Sequence, residues 1–292
     1  MYALFGERGI GWSEVGNMDI LLLGGDERML YAGKKLREQG FTVAAAGFEN
    51  AALPEGIKRY APDSPPPGAV LTGVPLTKDG KTLFAPYAAK AIPLEAIPGY
   101  KAARLFAAGA IPGIDAVDYF ADETLLRRNA ALTAEGLLAL LIAETPGALA
   151  GAKVVVTGFG RVGRAAAGLI KAAGGLPTAF VRRIDARDGA LELGFDARLL
   201  EEFSEAAAGF DALINTVPAP VVGEKELAAL RPDCVLFEAA SAPFGIDRAA
   251  AERLGRKVIP AGGLPGRFSP KAAGEALADA VLALLGGGDS HE

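Results

Sequence analysis

The chain has 292 residues, of which 51% are hydrophobic and 22% are charged, and its formal net charge is −5. Because a domain typically takes ~150 residues, this length predicts two domains with substantial apolar cores. The negative balance argues against a general nucleic-acid binder, which normally presents a basic face. The most apolar run, GLLALLIA, is far shorter than the ~20 residues that cross a bilayer, and no signal-peptide pattern precedes it. We therefore expect a soluble, cytoplasmic protein.

The single cysteine of the chain, Cys234, excludes an internal disulfide. It lies in the apolar stretch CVLFEAA. This setting favours a buried structural thiol over a nucleophile, because a buried cysteine without an activating neighbour is inert.

The first half of the sequence predicts an N-terminal α/β domain over residues 18–122. An apolar strand at 20–23 enters a Gly-Gly-Asp turn, a helix pattern follows as far as Gly40, and FTVAAAGF is a second strand. This strand–helix–strand order demands a parallel sheet. Further strands are predicted in AVLTG, after a short helix in PGYKAARLFAAGAI, and in AVDYFAD. We expect this domain to carry the substrate and the catalytic groups.

The second half predicts a linking helix over 123–150 and then a Rossmann domain over 151–268. The strand patterns of that domain are KVVVTG, PTAFV, ALINTV, CVLFEAA and KVIPAG, with helices in the gaps. Residues 269–292 predict a final helix, capped by Ser269 and with proline at its first position, followed by a flexible tail. Residues 1–17 are expected to be a loosely ordered extension. The predicted fold class is therefore α/β, with two doubly wound parallel-sheet domains joined by long helices.

A glycine-rich turn follows the first strand of the second domain and fits the pattern G-x-G-x-x-G. In this pattern the first glycine makes a tight turn, the second lets the backbone approach a pyrophosphate, and the third lets the helix pack closely. The preceding β-branched strand and the following alanine-rich helix supply the context that the pattern requires. The predicted cofactor-binding residues of the turn are Gly158, Phe159, Gly160, Arg161, Val162 and Gly163.

Two arginines, Arg182 and Arg183, follow the second strand of this domain, about where an NAD-binding acid is expected. An acid there accepts the ribose hydroxyls, whereas a guanidinium pairs with the 2′-phosphate of NADP. The sequence therefore favours NADP over NAD. Two alternatives remain: the arginines form an ordinary solvated face, or a longer strand presents Asp185 to the ribose.

The sequence offers few residues for acid–base catalysis or for binding a metal. The single histidine, His291, lies in the tail and is assigned no role, so a histidine relay is not expected. No cluster of residues has metal-ligand spacing. The loop residues Thr216, Val217 and Pro218 are expected beside the nicotinamide ribose, because ligands of such sheets bind at the carboxyl ends of the strands.

A second loop, GGLPGRFSPK, leads into the final helix and presents Arg267, Ser269 and Lys271 near a helix N-terminus. These groups suit a carboxylate. A lysine in the first turn of a helix is electrostatically misplaced, which favours a role in holding an anion. The alternative is an ordinary surface lysine.

Taken with these motifs, the sequence after Met18 resembles the A subunit of dipicolinate synthase from endospore-forming bacteria. The resemblance rests on GGDERMLYAGKKL, LTAEG, GFGRVG, INTVP and GLPGRFSPKAAGEAL. It implies oxidation of a dihydrodipicolinate to pyridine-2,6-dicarboxylate in the mother-cell cytoplasm during sporulation, together with a flavoprotein-like B subunit. Because the reaction creates an aromatic ring, positioning the substrate against the nicotinamide matters more than a strong base.

The implied dicarboxylate needs partners at both of its ends. The loop of Lys271 is expected to hold one end, and Thr77, or Asn129 with Thr133, the other. Glu135 is the expected proton acceptor, with helix capping or a structural salt bridge as the alternative for that residue. Two other functions stay open: a two-domain dehydrogenase of a small hydroxy or amino acid, and a regulatory nicotinamide-binding protein without activity. The sequence also leaves open whether the chain forms a homo-oligomer.

Overall fold

A computed structural model of the chain describes residues 19–61, 63–111 and 113–286. The expected N-terminal extension and His291 lie outside these residues. The described chain divides into two compact units. The first unit comprises the residues up to Arg128 and those from Pro270 onward, and the second unit is Asn129–Ser269. The C-terminal helix therefore returns to the first unit.

The first unit is built on a parallel sheet whose strands lie in the order β3-β2-β1-β4-β5-β6. The central strand β1 pairs with β2 on one side and β4 on the other, and its Ile20–Leu23 segment is buried on both faces. Such continuous apolar runs are typical of parallel strands that are covered by helices. The strands are β1 Asp19–Leu23, β2 Thr42–Ala46, β3 Lys58–Arg59, β4 Ala69–Thr72, β5 Arg104–Ala107 and β6 Val117–Asp118.

Two helices of the first unit, α1 (Glu27–Glu38) and the C-terminal helix α9 (Pro270–Gly286), pack directly on each other. A Cβ added at Gly274 of α9 would lie 2.2 Å from the carbonyl oxygen of Arg28, so only glycine allows this approach. Short 3₁₀ helices span Leu94–Tyr100 and Tyr119–Ala121. Of the predicted strand AVDYFAD, only Val117 and Asp118 are a strand, and the rest of the prediction is wrong. The chain turns there because the hydroxyl of Tyr119 is buried and donates to the carbonyl of Thr72.

The long helix α2 (Glu123–Glu144) begins in the first unit and ends in the second. The sheet of the second unit has the order β12-β11-β10-β7-β8-β9, which is the same topology as in the first. Five of its strands were predicted. The sixth, Asp196–Leu199, is an edge strand with only one fully buried residue, so its apolar pattern is weak. The strands are β7 Lys153–Thr157, β8 Leu176–Val181, β9 Asp196–Leu199, β10 Ala212–Asn215, β11 Val235–Glu238 and β12 Val258–Pro260.

Short helices connect these strands. They are α3 Arg161–Ala172, α4 Ile184–Glu192, α5 Phe203–Ala206, α6 Glu224–Ala229, α7 Arg248–Arg253 and α8 Leu264–Phe268. The predicted α/β class with two doubly wound parallel sheets is confirmed. In each sheet the strand order reverses beside the first strand, between β1 and β4 and between β7 and β10. Ligands of open α/β sheets bind at this switch point.

Within the described residues, no helix is both long and apolar enough to span a membrane. Cys234 is buried, and burial raises its pKa to about 12.

Candidate dinucleotide site

The glycine turn of the second unit lies at the switch point, between β7 and α3. Gly158 has a φ of 84°, a conformation that glycine adopts without steric cost. A Cβ at this position would lie 2.7 Å from Cγ2 of Val217 and 3.0 Å from Oγ1 of Thr216. The loop after β10 therefore packs directly on the turn, and Gly158 leaves the space that this loop needs.

The third glycine of the motif, Gly163, is buried in the first turn of α3. A Cβ here would lie 2.4 Å from the carbonyl oxygen of Gly158 and 3.1 Å from Oγ1 of Thr216. Since the nearer atom belongs to the backbone, it cannot rotate out of the way. Gly163 therefore allows the helix to start close against the strand.

The middle glycine has a different environment. Gly160 is the N-cap residue of α3 and, as a glycine, has no side chain that could cap the helix; within the described residues, no atom lies within 4 Å of a Cβ built on it. The start of a helix carries a partial positive charge and suits an anion. Open space before a helix start whose N-cap residue has no side chain is the arrangement that a pyrophosphate needs.

The two arginines follow β8, which ends at Val181 as predicted. Arg183 is exposed and pairs with Asp185 in the first turn of α4, which raises the pKa of Arg183 and lowers that of Asp185. Arg182 is also exposed but has no such partner within the described residues. Of the two guanidinium groups, that of Arg182 is thus the one not engaged by a carboxylate.

A buried polar network supports the loop that faces the glycine turn. The hydroxyl of Thr157 donates to Oδ1 of Asn215 (2.5 Å), and Nδ2 of Asn215 donates to Oε1 of Glu238 (2.6 Å) and to the carbonyl of Val217 (3.0 Å). Glu238 is only 2% exposed. Its carboxylate also accepts from the amides of Ala240, Gly245 and Ile246 at 2.9–3.1 Å. The side chains of Thr157, Asn215 and Glu238 therefore all have hydrogen-bond partners, as buried polar groups require.

Sequence reasoning treated the loops after β10 and β11 separately and did not identify Glu238 as their common anchor. The signal was present: a carboxylate at the end of an apolar strand has to find several donors when it is buried. The loop residue Thr216 also donates its hydroxyl to the carbonyl of Thr157 at 2.7 Å, which fixes Thr216 against the turn.

Comparison with known proteins shows what the chain is similar to. The family that describes the N-terminal domain of the dipicolinate synthase A subunit matches residues 19–113. The corresponding protein of Bacillus subtilis (strain 168) is 32% identical over 175 residues, which are 58% of this chain and 57% of that protein. The crystal structure of the same protein from Bacillus halodurans has a TM-score of 0.83 at 26% identity and covers 92% of this chain and 97% of the other.

The chain resembles the A subunit of dipicolinate synthase. The sequence alignment spans little more than half the length of the Bacillus subtilis protein, whereas the structural match to the Bacillus halodurans protein includes both units. The crystal structure of a transhydrogenase from Sinorhizobium meliloti has a TM-score of 0.64 at 19% identity, covering 92% of this chain and 93% of that one. This more distant likeness shows the fold alone.

The residues that the dipicolinate synthase resemblance assigned to substrate lie in both units. In the first unit, the hydroxyl of Thr77 accepts from the amide of Gly80 and donates to Asp79, both at 3.0 Å, so it closes a local turn. Lys271 is 71% exposed and lies 3.9 Å from Oε1 of Glu275, one helical turn further on. Both residues thus already have local partners.

In the second unit, the side chain of Thr133 is buried and donates to the carbonyl of Asn129 at 2.7 Å, within helix α2. Glu135 is exposed and accepts from the hydroxyl of Ser269 at 3.4 Å. Arg267 is exposed and lies over the ring of Phe268, at 5.5 Å from the ring centroid. The structure thus brings Glu135 and Ser269 together. The substrate roles of all these residues remain predictions.

Proposed function

We propose that the chain binds NADP at the glycine turn of the second unit and oxidises dihydrodipicolinate to pyridine-2,6-dicarboxylate. The observation that carries the cofactor assignment is the contrast among the three glycines. Gly158 and Gly163 are required by close packing, whereas Gly160 borders open space at a helix start whose N-cap residue has no side chain. A purely structural turn has no need of glycine at that middle position.

The preference for NADP rests on the residues after β8. A 2′-phosphate would meet the guanidinium of Arg182, which can pair with it bidentately. Arg183 would have to exchange Asp185 for the phosphate. Asp185 belongs to a helix rather than to the strand end, and it is already paired, which disfavours its use as a ribose ligand. Arg182 is therefore the proposed discriminator between the two cofactors.

The reaction removes a hydride and a proton from a dihydropyridine ring. Nicotinamide supplies the hydride acceptor at C4 when NADP is bound, and the drive of the reaction comes from forming an aromatic ring. The protein then has to hold the ring in place and remove one proton. We assign the proton to Glu135, which accepts from the hydroxyl of Ser269 at 3.4 Å, and one substrate carboxylate to Arg267 of the same unit. Because Lys271 pairs only distantly with Glu275, its ammonium group can reorient toward a ligand.

The proposed partner and location rest on the same resemblance. We propose that the chain works with a B subunit of flavoprotein type in the cytoplasm of a spore former, as the A subunit of a dipicolinate synthase. The similarity of both units to the Bacillus halodurans protein supports this assignment.

The test is an absorbance assay for pyridine-dicarboxylate, with dihydrodipicolinate generated in situ and NADP supplied. Product formed by the chain alone supports a catalytic role. Product that requires the B subunit but persists when the NADP site is inactivated would favour the alternative of a regulatory nicotinamide-binding protein. No product under either condition would reject this substrate and leave another small hydroxy or amino acid as the candidate.

A further inference from the structure

The first unit contains a separate cavity at the carboxyl edge of its sheet. It has a volume of about 840 Å³ and opens beside the ends of β2 and β3. The cavity thus lies on the β2–β3 side of the switch point between β1 and β4. None of the residues assigned above to cofactor or substrate lines it. The lining residues that matter here are Glu49, Tyr60, Lys90, Tyr100 and Lys101.

The cavity is bordered by two unpaired cations. The ammonium groups of Lys90 and Lys101 are exposed and have no hydrogen-bond or ion-pair partner within the described residues. The one carboxylate of the lining, Glu49, accepts from the amides of Gly47 (3.2 Å) and Ala89 (3.0 Å). These backbone hydrogen bonds, that of Ala89 first, lower the pKa of Glu49. The carboxylate is thus held in its ionised form by the backbone, and the two lysines give the lining a net positive charge.

Lys101 has an unusual backbone conformation. Its φ is 51°, in the left-handed region that disfavours side chains with a Cβ, and its amide donates to the carbonyl of Pro98 at 3.0 Å. Glycine is the residue that fits such a turn without cost. A lysine at this position keeps its side chain at the cavity against the local preference of the backbone.

Two tyrosines form the apolar part of the wall. The rings of Tyr60 and Tyr100 are half-buried, with centroids 5.8 Å apart and planes tilted by 57°. Burial raises the pKa of Tyr100, and neighbouring Tyr60 and Glu49 act in the same direction. The Tyr100 hydroxyl therefore stays protonated and can donate a hydrogen bond. Aromatic rings and cations in the lining of one cavity suit a flat ring that carries negative charge.

The glycine turn of the same unit is closed to phosphate. The amide of Gly25 donates to the carbonyl of Phe84 at 2.6 Å, and a Cβ on Gly24 would lie 3.1 Å from that of Ala85. The carboxylate of Asp26 accepts from the first turn of α1, where a phosphate would otherwise sit. A nucleotide diphosphate thus has no place to bind at this turn, although the topology matches that of the second unit.

We propose that this cavity binds a planar aromatic ring bearing carboxylate groups, with the ring against Tyr60 or Tyr100 and the carboxylates on Lys90 and Lys101. The inference rests on the proposed function for its choice of probe, pyridine-2,6-dicarboxylate. It goes beyond that function by giving the diacid a second binding site, in the first unit and apart from the substrate residues assigned above.

The experiment is equilibrium dialysis of pyridine-2,6-dicarboxylate against the full chain, followed by the ultraviolet absorbance of the probe. The test variant is Lys90→Ala with Lys101→Gly, because glycine removes the ammonium group and suits the φ of 51°. The control is Lys78→Ala, which removes a lysine outside the cavity that lies over the ring of Phe84. We expect two binding sites for the diacid in the wild type and in the control, and the loss of one of them in the double variant.

Two results would overturn the inference: no binding of the diacid to the wild-type chain at millimolar probe, or equal binding to the double variant. Displacement of the diacid by AMP would also overturn it, because the cavity would then accept a nucleotide. NADP binding is measured in parallel and is expected to be the same in all variants. If NADP binds and product forms while the diacid binds the double variant normally, the cavity assignment fails and the proposed function stands. If wild type binds the diacid at the cavity but neither NADP nor turnover is found, the proposed function fails instead.

Discussion

Replacing Gly163 by alanine tests whether the helix after the glycine turn starts as close to the strand as the geometry indicates. The new Cβ would lie 2.4 Å from the carbonyl oxygen of Gly158, whereas carbon–oxygen contacts are normally ~3.3–3.6 Å. Helix α3 or the turn therefore has to move by about 1 Å. Overpacking of this kind costs ~1–3 kcal/mol, and alanine returns ~0.5–1 kcal/mol through its helix preference.

The net expectation is a loss of roughly 1–2 kcal/mol in the free energy of unfolding, measured by urea titration. The displaced turn should also weaken NADPH binding at least tenfold, which corresponds to ~1.4 kcal/mol. The binding is measured by nicotinamide fluorescence. The matched control is Gly168→Ala in the same helix, where no atom lies within 4 Å of the added Cβ. It should gain ~0.5–1 kcal/mol and bind NADPH normally. Wild-type stability and affinity in the Gly163 variant would refute the packing account.

Four further predictions follow from the described contacts. Gly160→Ala should lower the free energy of unfolding by no more than ~1 kcal/mol, the cost of alanine at an N-cap, but weaken NADPH binding because its Cβ enters the space proposed for the pyrophosphate; unchanged affinity would remove the pyrophosphate from this site. Arg182→Ala should raise the Kd for NADP tenfold or more without changing the Kd for NAD. Arg183→Ala should raise the Kd for NADP by a smaller factor, because Arg183 is already paired with Asp185. Equal effects on the two cofactors would contradict the assignment. Glu238→Gln should destabilise the second unit by ~1–3 kcal/mol in thermal unfolding, because the amide nitrogen cannot accept from the donors that its carboxylate now satisfies. Burial raises the pKa of Cys234 to about 12, so the thiol should resist alkylation at pH 8 until the chain unfolds. Its contribution to the free energy of unfolding should be complete below the unfolded pKa of ~8.5 and should fall as the pH rises toward 12. Rapid labelling of the native chain would contradict the burial.

The sequence by itself determined the class of fold and the place of the glycine turn proposed to bind the cofactor. Apolar runs such as 20–23 and 154–156 had to be buried on both faces, which parallel strands under helices allow. The end of β8 at Val181, and with it the position of Arg182, was also readable because an apolar strand stops where charge begins. These features depend on short-range patterns and can therefore be predicted from a single sequence.

Other features were decided only by tertiary contacts. The edge strand Asp196–Leu199 and the turn at Tyr119 depend on partners distant in the chain, and so does the return of the C-terminal helix to the first unit. The predicted substrate residues Thr77 and Thr133 turned out to bond their own turn and helix, because short hydroxyl side chains reach nearby backbone first.

The anchoring role of Glu238 and the cavity of the first unit illustrate the same limit. Glu238 collects donors from β10 and from two stretches of the loop after β11, and the cavity joins side chains that come from several loops. Local sequence fixes periodicity and turns, because these follow from backbone geometry. It does not fix which buried donor meets which acceptor, because that depends on how separate strands and loops are brought together in space.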